Sequence, residues 1–342
     1  MTDYSKYANK GLTGLVNLGN TCYLNSCMQI LSHCHILNEI IQTSINNNKI
    51  NNTLDSVLLI EWNNLRELMW SKNCIVSPNR FVNAVQKISQ KKNKELFTGF
   101  VQNDFPEFLI FILECFHYSL KRQVDIKIKG NVKTDIDKLA KKCYETLKIH
   151  FNDNYSDIVN KFYGVQVTKI ISINNSKLLS VATEPYCLIN LSINKSSNTI
   201  YDCLDEYCLY ETMSDENAWF NEKTNRYEDV KKGISFWNLP EILIIDLKRF
   251  DNNIKKINKR IDVPLTNLDL SKYVIGYNSD KYVYDLFGVS NHIGNAFSGH
   301  YTAFIKNANN KWYEFNDQVI TSIENKQIIT NNAYCFFFIQ KK

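Results

Sequence analysis

Residues 14–31 restrict this chain more than any other stretch. They read Gly-Leu-Val-Asn-Leu-Gly-Asn-Thr-Cys-Tyr-Leu-Asn-Ser-Cys-Met-Gln-Ile-Leu. The first half, 17–20, carries Gly and Asn residues whose turn chemistry favours a loop. Leu24, Cys27, Met28 and Leu31 then recur at helical spacing. This pattern predicts a helix capped by Asn20 or Thr21, with Cys22 in its first turn. A thiol there faces unpaired backbone N–H groups and the positive end of the helix dipole, and both favour thiolate over thiol. Asn17, five residues upstream, can fold back on the same spot, so that its amide and the Cys22 backbone N–H would hold a developing oxyanion. A cysteine on an apolar helix is more often a small buried hydrophobe, and the chain has ten cysteines. Spacing alone leaves both readings open.

A second constellation lies near the other end of the chain. Residues 301–305 and 312–315 read as two strands joined by the turn-prone segment 307–310, which makes a hairpin. In it, His300 at the start of one strand and Asn316 at the end of its mate meet across the ladder. An Asn oxygen that accepts from one ring nitrogen fixes the tautomer and leaves the other nitrogen to face a thiol. Asp317 is the neighbouring candidate for that orienting role. A lone His at a strand end is commonly structural. Among the six histidines, only His300 has both a Gly neighbour and a hairpin mate of the right type.

With 342 residues, 44% of them hydrophobic, the chain is long enough for a sizeable core. It has only 5 Pro and 11 Gly and no Pro/Gly/Ser-rich linker, so one multi-lobed domain over 11–342 is expected after a flexible leader, 1–10. The net charge of +5 is spread out. Basic pairs such as Lys91 with Lys92 and Lys255 with Lys256 read as solvated faces and argue against nucleic acid as a partner. No apolar run approaches the roughly 20 residues that span a bilayer, and residues 1–10 lack the apolar core of a secretory signal. A cytoplasmic or nuclear protein with free thiols and no membrane partner is therefore expected. No Cys-x-x-Cys pair exists, Cys203 and Cys208 stand alone, and Cys22, Cys27, His33, Cys34 and His35 scatter around one helix axis. Neither a metal nor another cofactor is expected.

Between these two ends, Leu58, Trp62, Leu65 and Met69 give an amphipathic helix after an Asn-rich loop at 42–52. Ser77 and Pro78 read as a cap and first helical residue. Asp104 followed by Glu107 is a capping-box-like start for a helix with a buried stripe at Leu109, Ile110, Leu113, Phe116 and Leu120. From Phe162 the period shifts toward two: 162–171 reads as a strand and 178–193 as one or two more. Residues 242–250 form a near-continuous apolar strand, as expected for a buried central position, and 334–339 form a last one.

Several of these segments resemble the ubiquitin-specific proteases, papain-like cysteine proteases that cleave the C-terminal tail of ubiquitin. Residues 14–31 are similar to that family's cysteine box over about eighteen residues, including Asn17 and Cys22. Gly299-His300-Tyr301 looks like its histidine signature, with Asn316 where many relatives have Asp. The resemblance implies a Cys22–His300–Asn316 triad, with Asp317 as the substitute that would polarise the ring through a water. It also implies that His292 and Tyr301 flank a channel for the two terminal glycines, although a loop histidine and a packed tyrosine read equally well. The segment 102–109 is similar to the signature that opens the family's thumb helix. It implies Asp104 and Glu107 as contacts to the basic ubiquitin tail, while the Phe105–Pro106 pair departs from the pattern. Leu247-Lys248-Arg249-Phe250 looks like the family's palm strand, which makes Arg249 and Phe250 candidate substrate contacts. Phe250 suits a core position equally.

The resemblance implies an α+β fold: a helical thumb (about 11–160), β fingers (about 162–235) and a β-sheet palm (about 236–342). Family landmarks stand at Phe162-Tyr163-Gly164, Glu184-Pro185-Tyr186 and Leu191-Ser192-Ile193. The paired cysteines that tie the fingertips to zinc in many relatives are missing. Metal-free fingers held by packing of Trp219 and Phe220 are expected instead. The implied activity is that of a monomeric deubiquitinase. It would hydrolyse isopeptide or peptide bonds at the C-terminal glycine of ubiquitin, in ubiquitinated proteins or polyubiquitin, through a covalent acyl-enzyme. A same-fold protease for another ubiquitin-like modifier, or a catalytically silent ubiquitin-binding module, are the alternatives.

Overall fold

The computed structural model of the chain describes residues 4–99 and 101–341. A helical lobe comes first. It holds the short strand β1 (Gly14–Leu15), helices α1 (Cys22–His33), α2 (His35–Asn46) and α3 (Leu54–Ser71), strand β2 (Ile75–Val76), and helices α4 (Asn79–Lys91), α5 (Phe105–Leu120), α6 (Asp135–Phe151) and α7 (Val159–Phe162). A middle lobe follows with β3 (Gly164–Ser172), β4 (Leu178–Tyr186), β5 (Ile189–Ser192), α8 (Ile200–Cys208), β6 (Glu211–Met213), β7 (Trp219–Asn221), β8 (Arg226–Glu228) and β9 (Val230–Asn238). The last lobe runs through β10 (Ile242–Lys248), β11 (Leu268–Asp269), β12 (Val283–Gly294), β13 (Gly299–Lys306), β14 (Trp312–Asn316), β15 (Val319–Ile323) and β16 (Ala333–Gln340).

The palm sheet has the order β15-β14-β13-β12-β16-β10-β5, with β11 beside β12. The apolar run of β10 is accounted for by burial on both faces. Ile242 and Ile244 enter the core shared with the thumb helices, and Leu243, Ile245 and Leu247 enter a second core that includes Ile200, Cys203 and Leu204 of α8. The fingers are the antiparallel sheet β4-β3-β9-β6 with a separate β7–β8 hairpin.

Helix α1 is buried on every side, although its sequence carries Asn25, Ser26, Gln29 and Ser32. Each polar side chain is spent on a bond, as burial requires. The Ser26 hydroxyl donates to the Thr302 carbonyl on β13 (3.2 Å), Gln29 Nε2 donates to the Thr13 carbonyl (2.7 Å), and the Ser32 hydroxyl donates to the Gln29 carbonyl (2.8 Å). The helix that opens with Cys22 is thereby stitched to the palm.

Four local expectations are corrected. Residues 1–3 of the expected leader lie outside the described residues, and residues 4–10 are not frayed. The Tyr7 ring stacks on His35 at 4.4 Å and meets the Trp70 edge at 5.3 Å, and Asn9 N–H donates to Asn307 Oδ1. Helix α2 carries on through Asn46 into the expected loop, since Ile41 and Ser44 keep a buried stripe going. Pro78 is itself the N-cap of α4, one position earlier than its usual place inside the helix. At the fingertips Phe220 is 41% exposed and touches mainly Tyr227, so it anchors no core. The hairpin is held by buried Asn221, whose Nδ2 donates to Glu228 Oε1 (2.8 Å), and by the Thr224 hydroxyl on the same oxygen (2.7 Å). Among the described residues no three His, Cys, Asp or Glu side chains gather as a metal site would require.

Candidate active site

Cys22 is the first residue of α1 and is buried. Thr21 precedes it, but its hydroxyl does not cap the helix. It accepts from Leu18 N–H (2.9 Å) and donates to Asn17 Oδ1 (3.3 Å), because the loop folds back on itself. Asn17 Oδ1 also accepts from Gly19 N–H and Thr21 N–H, both at 3.1 Å. Gly19 and Asn20 take left-handed backbone conformations (φ 99° and 55°), for which Gly and Asn are the residues of choice. The oxygen of Asn17 is thus fully used in shaping the loop. Its Nδ2 donates one hydrogen to Asp317 Oδ2 (2.9 Å) and keeps a second.

Asp317 ties the two ends of the chain together. Its other carboxylate oxygen accepts from Asn25 Nδ2 (2.8 Å), one turn after Cys22, and its carbonyl accepts from Leu15 N–H (2.8 Å). It holds φ +49° at the turn between β14 and β15. The chain at Gly14 runs so close to this turn that a Cβ there would lie 2.3 Å from the Gln318 carbonyl oxygen. The glycine that opens the cysteine box is therefore a packing requirement of this junction.

On the palm side, β13 and β14 pair with Ala303 opposite Phe315 and Lys306 opposite Trp312, the predicted hairpin. Beyond the paired residues, His300 Nε2 lies 2.7 Å from Asn316 Oδ1. The remaining ring nitrogen, Nδ1, is left for the Cys22 thiol. The hydrogen bond to Cys22, followed by that to Asn316 and the charges of Cys22 and Asp317, outweighs partial burial and raises the His300 pKa to about 9. Asp317 Oδ2 stands 4.0 Å from His300 Nε2, so it acts on the ring as a charge and not as its direct acceptor. The structure brings Cys22, His300, Asn316, Asn17 and Asp317 into one cluster.

The candidate substrate residues fare unequally. Asp104 caps α5, accepting from Glu107 N–H (3.3 Å) on one oxygen and from the Tyr334 hydroxyl (2.8 Å) on the other. Glu107 is exposed on the first turn. Tyr301 is buried and its hydroxyl accepts from Phe105 N–H (3.4 Å). His292 is buried as well, against the rings of Tyr301 (4.7 Å) and Phe250 (5.7 Å), and burial followed by the charge of Lys256 lowers its pKa to about 4. The His292 ring lies over Gly299, where a Cβ would come within 2.2 Å of Nε2. The structure therefore uses His292 to seat the residue before His300. Arg249 corrects the expectation of a substrate contact. It is fully buried, donating from Nε to the Ala333 carbonyl (2.6 Å) and from Nη1 to the carbonyls of Ile257 (2.9 Å) and Lys259 (2.8 Å). It clamps a loop to the end of the palm sheet. Phe250 is half-buried beside it.

Two positioning residues escaped sequence reasoning. Gln102 brackets Gly299 from both sides, accepting from its N–H (2.8 Å) and donating to its carbonyl (3.0 Å). Asn25 carries the bond to Asp317 described above. A polar residue at each of these places, one just before a helix cap and one inside an apolar helix, was the available signal.

The family profile of the ubiquitin carboxyl-terminal hydrolases (UCH) matches residues 13–338. Ubiquitin carboxyl-terminal hydrolase 2 of Homo sapiens is 29% identical over 96% of this chain and 55% of its own length, so the chain spans about half of that relative. The protein of the same name from Gallus gallus is 30% identical, over 98% of this chain and 96% of its own length. Among solved structures, a SAGA DUB module with Ubp8 bound to monoubiquitin superposes with a TM-score of 0.75, covering 97% of this chain and 70% of that one at 24% identity, which shows a shared fold. The α+β architecture of thumb, palm and fingers is that of the ubiquitin-specific proteases. By a profile match that takes in nearly all of its residues, the chain belongs to the ubiquitin carboxyl-terminal hydrolase family.

Proposed function

We propose that this chain is a cysteine deubiquitinase that hydrolyses the bond to the C-terminal glycine of ubiquitin in ubiquitinated proteins or polyubiquitin. The observation that carries this reading is His300, which is bonded to Asn316 and whose pKa is raised to about 9 chiefly by Cys22. The Cys22 sulfur, as thiolate, attacks the glycine carbonyl and forms a C–S bond. The charge that develops on the oxygen is met by the Cys22 backbone N–H, which has no acceptor within its own helix, and by the second amide hydrogen of Asn17. The His300 imidazolium gives its proton to the departing lysine amine as the C–N bond breaks. Neutral His300 then takes a proton from water, whose oxygen displaces the thiolate and restores the starting pair. Asn316 keeps the imidazole oriented throughout. One chain supplies every group, so a monomer suffices. Among the described residues no helix is long and apolar enough to cross a membrane, and the reducing cytoplasm or nucleus suits an enzyme that works through a free thiol.

An electrophilic ubiquitin probe tests the proposal directly: one equivalent is expected to attach to Cys22, and a chain that stays unlabelled after prolonged incubation is no active thiol protease. Fluorogenic substrates built on other ubiquitin-like modifiers, run in parallel, decide between ubiquitin and its relatives. Asn17→Ala is expected to lower kcat by about 10²–10³-fold with little change in KM, the signature of a transition-state donor. Unchanged turnover would remove Asn17 from the oxyanion role. The pH profile follows from His300. The imidazolium needed to protonate the leaving amine persists up to about pH 9 and is lost above it. The falling limb of kcat/KM is therefore expected near pH 9, and a fall centred near pH 7 would contradict the Cys22–His300 pairing.

A further inference from the structure

Helix α6 packs on the fingers strand β4, where the hydroxyls of Thr146 and Thr183 meet at 2.6 Å. The segment just before α6 has the sequence of a strand but no sheet to join. Residues 124–129 read Val-Asp-Ile-Lys-Ile-Lys, the apolar–polar alternation of a half-buried strand. Only the start is tied down. Arg122 and Tyr155 exchange backbone bonds (2.8 and 2.9 Å), Val124 N–H donates to the Asn152 carbonyl (2.8 Å), and Ile126 N–H donates to Asn152 Oδ1 (3.1 Å). Among the described residues, Gln123, Asp125 and all of Lys127 to Val132 make no backbone–backbone hydrogen bond, and each of them is exposed. An exposed row of free N–H and C=O groups is a template for another strand.

Beside this row lies a groove of about 530 Å³. Tyr144, Leu147 and Phe151 line it from one face of α6, at the spacing that brings helical residues into register. Ile126, Ile128 and Tyr155 line it too. Tyr144 is 40% exposed and Ile128 37%, so large apolar side chains are left uncovered here. The elements that carry the catalytic cluster, α1, β13 and β14, contribute nothing to the groove.

The free charge beside the groove is positive. Lys127 and Lys129 line it, Lys148 follows Leu147 on α6, and Lys133 stands at the end of the free row. Asp125, Asp135 and Glu145 are already paired, with Lys127 (3.2 Å), Lys138 (2.8 Å) and Lys141 (3.7 Å). Lys129, Lys133 and Lys148 have no ion-pair partner among the described residues. Lysines on an edge set like edges against each other, which makes a second copy of this chain a poor occupant. A strand that carries acids is a good one.

We propose that residues 123–132 and the adjoining groove are a docking site for an extended, acidic segment of a partner protein. The segment adds as a strand to the free row. Its alternate apolar side chains enter the groove beside Ile128 and Tyr144, and the Asp or Glu residues between them meet Lys127, Lys129 and Lys148. Main-chain bonds supply the affinity, and the alternation of apolar and acidic residues supplies the selectivity. The site is independent of the reaction at Cys22.

The test titrates the full chain with a short synthetic peptide that alternates Glu with Val, and with a counterpart that has Lys in place of Glu. The acidic peptide is expected to saturate the protein below about 1 mM, more weakly as salt rises, and its counterpart to leave it unbound. Hydrogen exchange is expected to slow at the backbone N–H groups of residues 123–132 when the acidic peptide is bound, which adsorption by charge alone does not produce. Lys127→Glu combined with Lys129→Glu is expected to weaken the peptide about tenfold or more, and Ile128→Asp to weaken it as well. Cleavage of a fluorogenic ubiquitin C-terminal amide is expected to be the same in these variants as in the unaltered chain. No saturation, equal binding of the two peptides, or unchanged exchange overturns the proposal. A loss of ubiquitin cleavage confined to the variants also overturns it, because this face would then belong to ubiquitin. Single-stranded RNA that displaces the peptide and binds more tightly overturns it in favour of a nucleic-acid site.

Discussion

Cys22→Ala is expected to lower cleavage of a fluorogenic ubiquitin C-terminal amide by roughly 10⁴–10⁶-fold, the range seen when a covalent nucleophile is removed, with the Kd for ubiquitin kept within about threefold. The variant deletes one sulfur from a helix start whose other bonds stay in place, so the thumb should hold its shape. A second consequence separates loss of chemistry from loss of fold. The bond to Cys22 does the most to raise the His300 pKa to about 9. Without it, the His300 ring should titrate at distinctly lower pH by NMR. A variant that still turns over, or a His300 that titrates as before, would mean that these two side chains do not form a working pair.

Asp317→Ala is expected to be the next most damaging change, with kcat reduced about 10²–10³-fold and more severely than by Asn316→Ala. Asn316 makes the direct bond to the ring, yet it is exposed and bonded to His300 alone. Asp317 holds Asn17 and Asn25 at 2.9 and 2.8 Å and also places a charge 4.0 Å from His300. Hydrogen bonds to a charged group contribute about 1.5–3 kcal/mol each, so thermal stability should fall as well. Asp317→Asn keeps the volume but turns an amide toward two amide donors, and it should resemble Ala in kcat while leaving KM nearly unchanged. If Asn316→Ala proves the more harmful substitution, orientation through the direct bond outweighs the junction at Asp317.

Much of this was legible in the residues. The turn-forming loop and the helical spacing placed Cys22 at a helix start, and two short strands around an Asn-rich turn placed His300 opposite Asn316. Both inferences used only neighbours in sequence, where backbone geometry dictates position. Asp317 shows where such reasoning stops. Its partner Asn17 lies 300 residues away, and no periodicity relates them. Arg249 shows the same limit. A basic residue ending an apolar strand looks like a surface cation until the chain at Ile257 and Lys259 folds over it and supplies carbonyls. Phe220 erred in the opposite direction, because an aromatic in a polar segment implies a core only if something arrives to cover it.

The place of β16 in the palm sheet sets a timetable for biosynthesis. This strand, residues 333–340, is the last of the described strands in chain order, yet it lies between β12 and β10 in the middle of the sheet. On a ribosome the earlier strands emerge with a gap between them that only this segment fills, and pairing across such long sequence separations is slow. Nascent chains arrested before residue 333 should therefore be digested quickly by added protease and should not react with a ubiquitin probe. A cell making this protein would hold a polypeptide with apolar strand edges uncovered until residues 333–340 have left the ribosome, a window in which chaperone occupancy decides yield.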